Sequence, residues 1–334
     1  MIQATKTLAM TVLLVAVRCN LGLGQAPPVT ILQIDMENTV QYRGDVSDPS
    51  KLATQPNAVP ATIPRNFEEV QLIADIVAVN GQPAKGTRTA DQRLYNLTTA
   101  PSPGQAISDT VRTATVLQTF EILSPDGTAI GSIFVVGAFA GAPPPGAPLS
   151  TTGGNNAIVG GTGAFLGARG QAGPAGANTA RQASMAEDPA NRRLNGGGAQ
   201  RWVLHVIPMS IPQVVSTPAG PAVTHSSDFS LVSAAKPAAA GEVLSVFMTG
   251  LGPTRPGVDP GQPFPVSPPA VVNSPVDVKV NGKSAEVLAA VGFPGTVDGY
   301  QVNVRVPSDT AKGTATIQVS AAWISGTPVN ITIQ

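Results

Sequence analysis

Apolar and polar residues alternate in strand-length stretches of this chain, separated by turn signals. In VTILQIDMENTVQY (29–42), Leu32, Ile34 and Met36 point one way while Gln33, Asp35 and Glu37 point the other. That is the two-residue period of a strand. VQLIADIVAVNGQPAKGT is a further strand, ending at an Asn-Gly turn. VRTATVLQTFEILSPDGTAIGSIFVVGAFA reads as a hairpin turning at Ser124-Pro125-Asp126-Gly127, where proline presets φ and glycine takes the left-handed position. The weaker segment around RLYNLTT, the glycine-rich stretch from Ala157 and QRWVLHVIPM complete the series. About eight strands result, the number at which a barrel closes around side chains or one small ligand.

From Pro208 to Pro237 prolines interrupt the pattern, removing ladder donors and restricting the residues before them. The domain boundary is placed near Ser216. Beyond it, GEVLSVFMTGLGP, VDVKVNG, AEVLAAV, YQVNVRVP, TATIQVSAA and PVNITI are short strands separated by turn residues. About seven strands in roughly a hundred residues match an immunoglobulin-like sandwich. The expected fold class is therefore all-β: an eight-stranded antiparallel barrel over 27–212, a linker over 213–227 and a C-terminal immunoglobulin-like β-sandwich over 228–334. A chain of 334 residues, 42% of them hydrophobic, suits two such cores.

Charged residues make up only 12%, about half the usual share. The 20 basic and 20 acidic side chains cancel, so there is no basic field to neutralise phosphates, and nucleic acid is excluded as a partner. The N-terminus reads as a signal peptide over 1–24: Lys6 is its positive region, LAMTVLLVAV its apolar core and Gly24 the residue before the cut. That core falls short of the roughly 20 residues needed to span a bilayer. Export to the periplasm or the extracellular space is expected. Cys19, the only cysteine, lies inside the segment to be removed, and His205 and His225 are the only imidazoles. No metal site and no cofactor are expected.

AIVGGTGAFLGARGQ (157–171) runs an apolar strand into closely spaced glycines, as a dinucleotide-binding loop does. Such a loop needs a helix next, its N-terminus facing the phosphates. Here Gly167, Gly170, Gly173 and Pro174 forbid one, and Leu166 stands where the third fingerprint glycine belongs. The glycines instead fit a tight connection in which Phe165 folds back to plug the barrel end. The segment is similar to the Gly-Gly-Ser/Thr-Gly-x-Phe-x-Gly-Ala-x-Gly motif of allene oxide cyclase and dirigent barrels. Gly160, Gly161, Thr162, Gly163, Phe165, Gly167, Ala168 and Gly170 match it. The second half resembles the immunoglobulin-like C-terminal domain of secreted soil-bacterial proteins, carried by GEVLSVFMTGLGPT, VNGKSAEVLAAV and YQVNVRVPSDTAKGTATIQVS.

The barrel resemblance implies acidic groups in a mostly apolar lumen, where burial raises the pKa and suits them to proton transfer. The nearest matches are Asp35, with Glu37 on the same face and Asp75 on the next strand. Alternation shows which residues share a face but not which face is inside, and the solvent-facing reading is preferred. The lumen cysteine of the plant cyclases and the Gly-Arg-Asn segment of dirigents have no counterpart in the mature chain. The expectation is thus a non-catalytic module: a barrel that binds a small apolar ligand or serves as a scaffold, with a sandwich contacting an extracellular protein or surface. Homo-oligomerisation through the barrel belongs to the same reading. The alternative is a cofactor-free isomerase or cyclase using the three carboxylates. His205 is read as a wall or core residue, His225 as exposed in the seam, and Trp202 as packing.

Overall fold

The computed structural model describes residues 29–45, 67–95, 114–139 and 155–334. The expectations for 1–24, including Cys19, lie outside the described residues. Eight strands of the first sheet form a barrel wall: β1 (Thr30–Asp45), β2 (Phe67–Val79), β3 (Lys85–Tyr95), β4 (Ala114–Leu123), β5 (Ala129–Phe139), β6 (Asn155–Gly161), β7 (Arg169–Pro174) and β8 (Gly198–Ile207). Each pairs antiparallel with the next, and β8 returns to β1, so the sheet is a closed barrel without a free edge.

Alternation decides what fills it. Leu32, Ile34 and Met36 of β1 meet Phe120 and Ile122 of β4, Ile133 and Val135 of β5, and Leu204 and Val206 of β8 in one core. The inside of the barrel is therefore the face that carries Leu32, not the face that carries Asp35. A bulge then reverses the parity of β1. Met36 pairs with Gln200 and Glu37 with Asp75, whereas Thr39 pairs with Gly198 and Val40 with Ile73, leaving one extra residue on β1. Asn38 sits in that bulge with φ 50°. Beyond it, Gln41 turns inward, while Val40 and Tyr42 turn out to join Ala183, Ile73 and Met185 in a small outer cluster. The short strand Arg181–Ser184 runs parallel to this half of β1.

The second sheet contains β9 (Val223–His225), β10 (Val243–Thr249), β11 (Val271–Val272), β12 (Val276–Val280), β13 (Lys283–Gly292), β14 (Tyr300–Arg305), β15 (Gly313–Ala321) and β16 (Val329–Ile333). Its path runs β9–β10–β14–β13–β12–β15–β16. β13 pairs with β12 through Lys283 to Ala285 and with β14 through Glu286 to Gly292, the latter with a register shift between Val287 and Ala289. The sheet therefore curls around a core that includes Leu244, Val246, Val302, Val304, Val278 and Ile317.

Residues 213–227, expected as a linker, are largely built into this sheet. Gln213–Val214 and β9 both pair with β10, and Val214, Val223, Thr224 and His225 are buried. The edge of β10 offers backbone donors and acceptors that this segment satisfies, while Pro218 falls in the turn between Ser216–Thr217 and Gly220–Pro221. The two sheets also touch. Ala322 and Ile324, from the turn after β15, belong to the barrel core, and Trp323 packs against it while donating from Nε1 to Gln82 Oε1 at 2.9 Å. Among the described residues no helix is long and apolar enough to cross a membrane.

Candidate functional site

The glycine motif closes one end of the barrel. Gly163–Phe165 is a single 3-10 turn between β6 and β7, and the next element is the strand β7, not a helix. Gly163 has φ +60°, and a Cβ there would lie 2.4 Å from Ile130 O. Gly170 has φ +137° on β7, and a Cβ there would lie 1.9 Å from His205 O. The turn folds Phe165 into the core, where it is 1% exposed. Burying such a ring contributes about 2 kcal/mol. Thr162 secures the turn: its N–H donates to Ser132 O at 2.8 Å, and its Oγ1 accepts from Ser132 N at 3.2 Å.

The three candidate carboxylates lie outside the lumen. Glu37 is exposed, and Asp35 is paired with Arg201 on the outer wall. Both line an open groove of about 540 Å³ that also includes Gln33, Val77 and Gly176. Asp75 is on the same outer face but is 6% exposed. It accepts hydrogen bonds from Arg192, Arg193 and Asn38. Burial on its own would raise the Asp75 pKa, but the hydrogen bonds from Arg193, Arg192 and Asn38 outweigh it and hold the carboxyl below its ordinary value. Asp75 thus anchors the short helix Arg192–Asn195 that carries the two arginines, rather than acting as an acid poised near neutrality.

The other half of the lumen is hollow. A cavity of about 190 Å³ lies toward the end of the barrel away from Phe165, lined by side chains of Gln41, Arg88, Gln92, Gln118, Asn156 and Trp202 among others. Among the described residues that line it, none is acidic. Arg88 stands on β3 opposite Phe120 of β4 and is 2% exposed. It donates from Nε and Nη2 to Gln118 Oε1 at 3.1 and 2.5 Å, and from Nη1 to Gln200 Oε1 at 2.6 Å. Gln118 Nε2 donates onward to Asn156 Oδ1 at 3.1 Å. The guanidinium lies over Trp202 at 4.1 Å and beside Phe120 at 5.5 Å, a cation–π arrangement. Burial pulls its pKa down to about 9, so it remains a cation at neutral pH.

Trp202 therefore does more than pack: it forms one wall of the cavity. Sequence reasoning missed Arg88, because Thr87, Thr89 and Asp91 on one face of β3 are as polar as Arg88 and Gln92 on the other. The inner face shows itself only through pairing with Phe120 and Gln118 of β4. His225 is buried at 4%, not exposed, with Nδ1 2.5 Å from Glu242 Oε1. His205 is half-buried on the outer face of β8, between inward-facing Leu204 and Val206.

No family model and no curated protein matches this chain. Among solved structures, a polysaccharide lyase is similar over 91% of this chain and 40% of its own length, at 7% identity and a TM-score of 0.16. The chain spans well under two thirds of that protein, and a likeness this slight carries no argument.

Proposed function

We propose that this is a secreted, non-catalytic binding protein whose barrel holds a small molecule at its open end. In this reading the barrel is of the allene oxide cyclase/dirigent type, and the curled second sheet is an immunoglobulin-like module for extracellular contact. One observation carries the reading: the lumen is packed solid at the Phe165 end and hollow at the other, where buried polar side chains converge. Leu72, Val116 and Trp202 offer apolar contact to the body of a ligand, and the amides offer orientation. The position of Asp35, Glu37 and Asp75 outside the lumen weighs against carboxylate-driven cyclisation in the cavity.

The test is thermal melting of the full chain against small acids, amides and alcohols, repeated with Gln92→Trp to fill the cavity mouth. Binding to the native state raises the melting temperature. The reading expects several of these compounds to raise it in the wild type and none in Gln92→Trp. No shift with any compound, or equal shifts in both proteins, would overturn it.

A further inference from the structure

The chemistry of the cavity is lopsided, and the imbalance points to a class of ligand. A guanidinium has five N–H donors. Arg88 uses three of them, on Gln118 and Gln200, which leaves one on each terminal nitrogen. Asn156 is 3% exposed and lines the same cavity, and its Nδ2 has no acceptor among the described residues. Three amide oxygens of this network already accept: Gln118 Oε1 and Gln200 Oε1 from Arg88, and Asn156 Oδ1 from Gln118, while the amides of Gln41 and Gln92 line the cavity beside them. Around the guanidinium itself, the groups left open are donors: two N–H of Arg88 and the Nδ2 of Asn156.

The charge is unbalanced as well. Arg88 makes no ion pair among the described residues; its partners are two neutral amides and two aromatic rings. A buried cation without a counter-ion is costly, and proteins ordinarily supply a carboxylate beside it. Here the nearby barrel carboxylates considered above face outward, where Asp35 and Asp75 are committed to Arg201 and to Arg192 and Arg193. A neutral residue could have stacked on Trp202 at less cost. An anion reaching the cavity would balance this charge.

We propose that the cavity takes a small organic carboxylate, its anionic head seated against Arg88 and Asn156 Nδ2 and its apolar body against Leu72, Val116 and Trp202. This rests on the binding reading above and adds the ligand's chemical class. A planar carboxylate matches the geometry of the guanidinium donors and brings the missing negative charge into a low-dielectric site. The smallness of the cavity limits the body to one ring or a short chain.

Calorimetric titration of the full chain separates this from its alternatives. The probes are benzoate, phenylacetate and hexanoate, each compared with its neutral primary amide. The expected result is that at least one acid binds ten or more times tighter than its amide, and that Arg88→Gln removes the preference while amide binding persists. Equal affinity of every acid and amide for the wild type, with both lost in Gln92→Trp, overturns the carboxylate proposal and leaves the cavity as a binding site. No binding of any of the six overturns both readings. The acid–amide comparison needs only the wild type, so it stands even where Arg88→Gln folds poorly.

Discussion

At the residue scale, two side-chain environments carry most of the information. Gly163 combines φ +60° with a Cβ position 2.4 Å from Ile130 O, so any side chain there is both strained and obstructed. Gly163→Val should destabilise the barrel by more than about 1 kcal/mol in urea unfolding; an unchanged midpoint would show that the turn relaxes freely. Asp75 supplies the second case. Its folded pKa is depressed, so its contribution is fully present above the unfolded carboxylate value of 3.8 and is lost as pH falls through the lower folded value. Asp75→Asn should cost about 2 kcal/mol at pH 7 through the arginines it leaves unpaired, and the difference from wild type should shrink on acidification below pH 4. A constant difference down to pH 2 would contradict the pairing. The motif residues were legible from sequence because φ > 0 and close approach leave glycine few substitutes. The role of Asp75 was not, since its partners Arg192 and Arg193 lie more than a hundred residues away.

At the element scale, alternation identified strands well but could not place their faces. The parity of β1 reads cleanly from Leu32 to Met36, then reverses at the Asn38 bulge, which no local pattern announces. Prolines misled in the opposite direction: the segment after Pro212 looked like a linker, yet its backbone completes the edge of β10. Val215 N–H donates to Phe247 O at 2.9 Å, Ala222 N–H to Val215 O at 2.8 Å, and His225 N–H to Ser230 O at 3.0 Å. Hydrogen exchange should find the amides of Val215, Ala222 and His225 protected to a degree approaching those of β10. Exchange at the rate of an exposed peptide would restore the linker. Limited proteolysis should likewise spare this segment.

At the scale of the whole molecule, the second sheet covers the end of the barrel that Phe165 closes. Ala322, Trp323 and Ile324 extend the barrel core, and Asn273 Nδ2 reaches Ala129 O at 3.0 Å. The cavity lies toward the opposite end, where Arg88, Gln118, Asn156 and Trp202 converge. An all-β chain with a barrel in its first half was readable from periodicity and turn residues. The inter-sheet contact was not, because Trp323 looks like any strand-end aromatic until the docking partner is in place. The lumen's character was hidden for a related reason: β3 is polar on both faces, so its inward arginine has no signature in one dimension.

The central claim is that the hollow half of the barrel, not the groove beside Asp35 and Glu37, is where a small ligand sits. Side-chain amide and indole NMR with added benzoate tests it directly, because each site has reporters of its own besides Gln200, which lines both. The cavity has Gln92, Gln118, Asn156 and Trp202, while the outer groove has Gln33. The account predicts saturable shifts of the Gln118 and Asn156 amides and of the Trp202 indole N–H, with Gln33 and the Trp323 indole still. Shifts confined to Gln33 and its neighbours, or none up to millimolar benzoate, would contradict it.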